Sequence, residues 1–286
     1  MTRGIARHSR RGTLVIAAVV LAGAATVATL PATAATRPSG TVRVLSAGSW
    51  SNVMVLLGAA FTHDTGYRLV NTSMGSSAIA HGVTSQTLQG DVFISASTGD
   101  DRSLEGAAHG RWIDGYTDVG TSPVVLAYYR GSRFAAALRR RPWYDVVSAA
   151  GFELGRTDPA VDPGGVLDLD ALRGLGYAYD MPSLLALARV TRDVYTEQAI
   201  PGLLQAGQLD AAFMYAVSAD AAQLPYVALT GTRNLNAHFT VALLRGAPDP
   251  GAATAFLHWL FTRAATSLLV RQGVVPVAPR FVPAPT

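Results

Sequence analysis

Two rhythms of apolar residues alternate along this chain. Short β-forming runs at residues 42–46, 67–71, 91–95, 123–129, 152–154 and 239–244, and one ending at Tyr215, read as strands. Between them, apolar spacing of three and four predicts helices over 50–62, 78–83, 143–150, 252–261 and 264–272. A further helix runs from near Glu197 to a glycine cap at Gly207, and 168–192 is helix-rich but broken by Gly174, Gly176 and Pro182. Strand, glycine turn and helix in that order predict an α/β fold with parallel strands. The run 123–129 is read as a crossover into a second lobe. The later strand and helices return to the first, so lobe I is expected to take residues 41–124 plus 236–286 and lobe II residues 125–235. The Pro/Ala tail, 277–286, is expected to be mobile.

The turns carry the candidate chemistry. In Gly155-Arg156-Thr157-Asp158-Pro159-Ala160-Val161-Asp162-Pro163-Gly164-Gly165, Pro163 presets a helical φ just after an Asp that can cap, and two glycines expose bare main chain. Such a helix start attracts anions. Ala47-Gly48-Ser49 and Met74-Gly75-Ser76-Ser77 each place a Gly-Ser at a helix start after a strand. Tyr215 leaves the carboxyl end of a strand with a hydroxyl to offer, and Glu197 sits near the start of the helix before it. Each has an ordinary structural reading as a cap, a core edge or a solvated acid. The two Gly-Ser turns, recurring in adjacent strand-turn-helix units, predict a shared anion pocket.

Composition narrows the partners. Arg3, Arg7, Arg10 and Arg11 precede an uncharged apolar run over 13–30 and the small-residue site Ala32-Thr33-Ala34, which reads as a signal peptide over residues 1–34. Ser9-Arg10-Arg11-Gly12-Thr13-Leu14 is similar to a twin-arginine export motif without its Phe, so both export routes stay open, as does retention of the segment as an anchor. There is no Cys, which excludes disulfides, thiolate metal sites, cysteine catalysis and a lipid-modified cysteine anchor. Four of the 23 basic residues and none of the acidic ones lie in the signal segment, leaving 19 of each sign, and a neutral mature chain argues against nucleic acid. The six histidines form no metal-ligand pairing, and no nucleophile elbow, Walker loop or dinucleotide pattern occurs. Asp100-Asp101, Asp168 with Asp170, and the Arg139-Arg140-Arg141 run are read as solvated surface.

Over most of residues 41–275 the chain resembles the periplasmic molybdate/tungstate-binding proteins of ABC importers, and within them the tungstate-selective branch. The resemblance is carried by Ala47-Gly48-Ser49, Gly75-Ser76-Ser77, Asp91-Val92-Phe93-Ile94-Ser95-Ala96, Val125-Leu126-Ala127-Tyr128, Asp158-Pro159-Ala160-Val161-Asp162-Pro163-Gly164-Gly165, Glu197 ten residues before Gly207, and Gly207-x-x-Asp210-x-x-Phe213-x-Tyr215. It implies a two-lobed α/β periplasmic-binding-protein fold of type II-like topology. Each lobe would be a mostly parallel sheet flanked by helices, with the ligand in the inter-lobe cleft. It also implies hydroxyl and amide donors at Ser49 and Ser76, a phenol at Tyr215, and carboxylates at Asp162 and Glu197 that approach the Mo or W of the oxyanion. The expected partners are that oxyanion and a membrane ABC permease, for a monomeric, extracytoplasmic protein with no cofactor and no enzymatic activity. After the loop this chain has Gly165-Val166-Leu167 where the tungstate-type pattern has Gly-Tyr-Arg, which leaves the choice between tungstate and molybdate open. The alternatives are a binder of phosphate, sulfate or a carboxylate, and a secreted serine hydrolase using Ser49 or Ser76.

Overall fold

The computed structural model describes residues 39–233 and 235–285, so the export-signal reading of residues 1–34 lies outside the described residues. The strand β1 (Thr41–Ala47) turns through a single 3-10 turn, Gly48–Trp50, into α1 (Ser51–Thr65), followed by β2 (Arg68–Met74), α2 (Ser76–Thr84), β3 (Val92–Ser95) and α3 (Thr98–Arg102). The long β4 (Gly115–Tyr128) leads to α4 (Ala135–Leu138), α5 (Trp143–Val146), β5 (Leu154–Thr157), α6 (Pro163–Ala178) and α7 (Pro182–Leu187). Next come β6 (Val194–Tyr195), α8 (Ile200–Gln205), β7 (Ala211–Tyr215), α9 (Ala216–Ala221) and β8 (Tyr226–Ala228). The chain closes with β9 (Asn236–Leu243), α10 (Pro250–Leu260), α11 (Arg263–Arg271), β10 (Val275–Pro276) and β11 (Phe281–Pro283).

The strands order as β2-β1-β3-β9-β4-β7-β5-β6. The strands β2, β1 and β3 are parallel, as are β7, β5 and β6, and the antiparallel pair β9–β4 joins the two sets. The sheet is therefore mixed, a two-lobed α/β fold. β4 serves both sets, pairing with β9 over Thr117 to Pro123 and with β7 over Val124 to Tyr128. Register does the positioning: β1 and β2 run in step from Thr41↔Arg68 to Ala47↔Met74, so Gly48 and Gly75 leave the sheet side by side.

Core aromatics then fix those strand ends. Trp50 and Tyr215 both pack edge-on against Phe239 of β9, with ring centroids 5.4 and 6.1 Å away. Such pairs add about 0.5–1.5 kcal/mol each beyond burial. The residues after β1 and at the end of β7 are thus tied to one buried ring.

Several sequence readings are corrected. The tail does not hang free: Phe281, Val282 and Pro283 pair with Thr117, Tyr116 and Gly115 of β4. β4 begins eight residues before the predicted run, because β9, β10 and β11 supply partners that its Gly-, Thr- and Ser-containing start does not announce. Helix α6 runs unbroken through Gly174 and Gly176. At Gly176 an added Cβ would lie 2.6 Å from Leu185 Cδ2, so the glycine is where α7 packs onto α6. The helix predicted over 143–150 stops at Val146.

Candidate ligand-binding cleft

Five side chains gather just beyond the carboxyl ends of five strands, the place where open α/β sheets bind ligands. Ser49 follows β1, Ser76 follows β2, Asp162 follows β5, Glu197 follows β6, and Tyr215 ends β7. All five are buried, none more than 5% exposed. Asp162 caps α6, its Oδ1 accepting from the Gly164 amide at 2.7 Å. Glu197 Oε1 accepts from the Ser218 hydroxyl at 3.3 Å, and the Ser49 main-chain amide also favours its charged form. The Asp162 and Glu197 carboxyls lie within hydrogen-bonding reach of each other. At Gly164 an added methyl would stand 3.0 Å from Asp162 Oδ1 and 3.5 Å from the Tyr215 hydroxyl, which puts bare main chain between the two. Beside this group opens a 470 Å³ cavity lined by Gly75, Asp158, Asp162, Glu197 and Gln198 among others.

The two serines are not equivalent. Ser49 Oγ and the Tyr215 hydroxyl are buried without a protein partner, whereas Ser76 Oγ accepts from the Ala96 amide at 3.0 Å. Ser76→Ala is therefore expected to destabilise the ligand-free protein by roughly 1–3 kcal/mol, the cost of a buried unpaired donor, while Ser49→Ala leaves stability within experimental error. Denaturant midpoints of the two variants check this, and equal midpoints would mean that the Ala96 bond contributes nothing.

Electrostatically the cleft is acidic and short of counter-charge. Burial pushes Glu197 well above the ordinary carboxylate range, and the Asp162 charge pushes it further. Burial also raises Asp162, against the Gly164 amide, and Asp100 and Asp158 add to the rise. Tyr215 is raised by burial and then by those same two carboxyls. No guanidinium is among these influences, and among the described residues no ion pair involves any of the five. Nor do any three His, Cys, Asp or Glu side chains among the described residues form a cluster fit for a metal ion. The chemistry favours a ligand that accepts hydrogen bonds from hydroxyls and amides while tolerating carboxyls at contact.

Acids read as surface from sequence lie inside. Asp168, on the inner face of α6, accepts from the Thr157 amide at 3.1 Å, and Asp101 accepts from the Thr240 hydroxyl at 2.6 Å. Asp100 is half-buried and accepts from Ser77 Oγ at 2.8 Å; Asp170 and the arginine run are exposed as expected. Burial pushes Asp101 and Asp168 each up to about 8. An acid raised by folding holds its proton more tightly in the native state. Its contribution is complete below about pH 4 and is lost as pH climbs towards about 8. The melting temperature is expected to fall between about pH 5 and pH 8, and Asp168→Asn, which keeps an acceptor for Thr157, to flatten part of that slope. An unchanged slope in Asp168→Asn would show that its carboxyl does not titrate with folding.

Sequence reasoning also passed over Ser218, Thr157 and Gln198. Only position signalled them: Gln198 adjoins Glu197, and Ser218 lies three residues beyond Tyr215.

Two sets of parallel strands whose carboxyl ends meet around one cleft, with buried hydroxyls and carboxyls beside it, define a solute-binding fold. Residues 42–275 match the profile of the bacterial extracellular solute-binding proteins, and the chain belongs to that family. It is 29% identical over 265 residues to a Haloferax volcanii protein named for molybdenum binding in an ABC transporter, a match spanning 87% of this chain and 83% of the relative. Against the molybdate/tungstate-binding protein WtpA of Pyrococcus abyssi it is 24% identical over 149 residues, 43% of each chain. The periplasmic molybdate-binding protein of Azotobacter vinelandii has the same fold, with a TM-score of 0.67, 17% identity, and cover of 84% of this chain and all of that one.

Proposed function

We propose that this protein captures molybdate or tungstate outside the cytoplasm and hands it to an ABC permease in the membrane. The observation that carries the reading is the pairing of two buried carboxyls, Asp162 and Glu197, with two unpartnered hydroxyls, Ser49 Oγ and Tyr215 OH, in a cleft without a cation. A dianion held only by hydroxyls and amides would be repelled by carboxylates. Mo(VI) and W(VI) are hard, oxygen-seeking centres that can accept further oxygen ligands, so the carboxylates become ligands to the metal of the cargo. Sulfur and phosphorus cannot widen their shells in this way. The same two side chains therefore bind the intended oxyanion and repel its abundant competitors. Ser49, Ser76 and Tyr215 supply the donors, and relatives named for molybdenum or tungstate support the choice of oxyanion.

The remaining parts follow from that role. Residues 1–34 act as the export signal, the mature protein works as a monomer, and the cargo leaves unchanged, so no cofactor is involved. A hydrolase would need a base beside its nucleophile, yet Ser76 Oγ is engaged with a main-chain amide and Ser49 Oγ has no partner.

A thermal-shift series with sodium tungstate, molybdate, sulfate and phosphate tests the proposal. A ligand present at ~1,000 times its dissociation constant adds about 4 kcal/mol to stability. Tungstate and molybdate are expected to raise the melting temperature and sulfate and phosphate to leave it unmoved. A rise with sulfate or phosphate alone would make this a generic anion binder, and no rise with any of the four would overturn the reading.

A further inference from the structure

The loop that carries Asp162 is joined to the opposite side of the cleft by main chain alone. The Ala78 amide, in the first turn of α2, donates to the Val161 carbonyl at 3.1 Å. That loop is stiff: the Val161 and Asp162 amides both donate to the Asp158 carbonyl, and Asp158 Oδ1 accepts from the Ala160 amide. Gly75, the cap residue of α2, lies directly against it. A methyl added at Gly75 would overlap the Val161 carbonyl oxygen and stand 2.9 Å from its carbonyl carbon and 3.1 Å from Asp162 Cβ. Gly75 has φ −55° and ψ 137°, a conformation open to any residue, so its own backbone does not require glycine. The close approach across the cleft does. Next door the close approach is to side chains: a methyl on Gly48 would stand 2.8 Å from Gln198 Nε2 and 2.9 Å from Glu197 Oε2.

We infer that the Val161 carbonyl, seated on the first turn of α2 over Gly75, is a main-chain latch that holds the cleft closed and sets Asp162 at the ligand. One free amide of the helix start goes to a peptide carbonyl, where an anion would otherwise take it. Gly75 and Val161 are positioning residues; neither needs to touch the ligand. The latch acts on the population of the closed form, and apparent affinity scales with that population. Its loss must weaken every ligand that needs closure by one common factor. Loss of a carboxyl, in contrast, changes selectivity.

The affinity arm of the test rests on the oxyanion reading, and the distance arm does not. The chain has no cysteine, so Val55→Cys and Tyr177→Cys, both at exposed positions on α1 and α6, give a unique pair of spin-label sites. In that background Gly75→Ala is expected to keep the longer label separation when saturating tungstate shortens the parent's, and to lose about 100-fold in both tungstate and molybdate affinity. Its ligand-free melting temperature should match the parent's. Gly202→Ala, whose added methyl meets nothing within 4 Å, should behave as the parent throughout. Ala78→Pro, which removes the amide that donates to the Val161 carbonyl at a first-turn position with no helical acceptor, serves if Gly75→Ala melts early. A Gly75→Ala variant that closes to the parental distance with parental affinity overturns the latch, as does a changed tungstate-to-molybdate ratio. Should the parent bind no oxyanion, the oxyanion reading fails by itself. The ligand-free distance distributions then decide, a smaller closed fraction in Gly75→Ala supporting the latch and identical distributions overturning it.

Discussion

Asp162→Asn and Glu197→Gln are each expected to lower tungstate and molybdate affinity by roughly 10- to 150-fold, the range for losing one contact of about 1.5–3 kcal/mol to a charged group. Sulfate affinity should stay level or rise, because a repelling charge has gone. The amide variants are chosen because Asp162 has two jobs: its Oδ1 also accepts from the Gly164 amide at 2.7 Å and caps α6. Asn keeps that acceptor and removes the charge, whereas Ala would also cost about 0.5–2 kcal/mol for the lost cap. Titration calorimetry for each oxyanion, beside a denaturant midpoint for each variant, separates the jobs. Asp162→Asn with undiminished tungstate affinity would reduce Asp162 to a helix cap. X-ray absorption on the tungstate complex gives an independent count, with more than four oxygen neighbours expected around the metal in the parent and fewer in either variant.

Tyr215→Phe is expected to produce the widest split between stability and binding. The ring is fully buried against Phe239, and the hydroxyl has no protein partner. In the ligand-free protein that donor is an unmet cost of about 1–3 kcal/mol, so removing it should leave the melting temperature unchanged or raise it. In the complex the same hydroxyl donates to a dianion. Its loss should weaken tungstate binding by roughly 10- to 150-fold at unchanged packing. Melting without ligand and calorimetry with tungstate check the two halves. A variant that melts lower and binds as the parent does would place the hydroxyl in the framework and outside the binding set.

Much of the cleft was legible in the chain because it is written in local rules. Gly48-Ser49 and Gly75-Ser76 announce turns after strands. Asp162-Pro163 announces a helix start and does cap one, and Gly207 takes the left-handed φ of 70° that its reading as a helix end requires. The strand period fixes where Tyr215 emerges. Such features depend on a few neighbouring residues, so turn chemistry and apolar spacing suffice to place them.

Only the tertiary structure decided the rest. That the Asp162 and Glu197 carboxyls come within hydrogen-bonding reach of each other depends on β5 and β6 lying side by side, which neither segment encodes alone. Asp101, in a polar stretch, and Asp168, on an amphipathic helix beside Asp170, look like surface acids. They are buried because Thr240 from β9 and the Thr157 amide from β5 reach them from other parts of the chain. The start of β4 is a strand because β9, β10 and β11 occupy its edges, and pairing overrides a weak local preference. Gly75 reads from sequence as a turn residue, but its backbone is ordinary, and the residue that makes it necessary is Val161 across the cleft. Local propensity is set by nearest neighbours. Burial, charge coupling and close approach are set by segments remote in sequence that become neighbours only when the chain is packed.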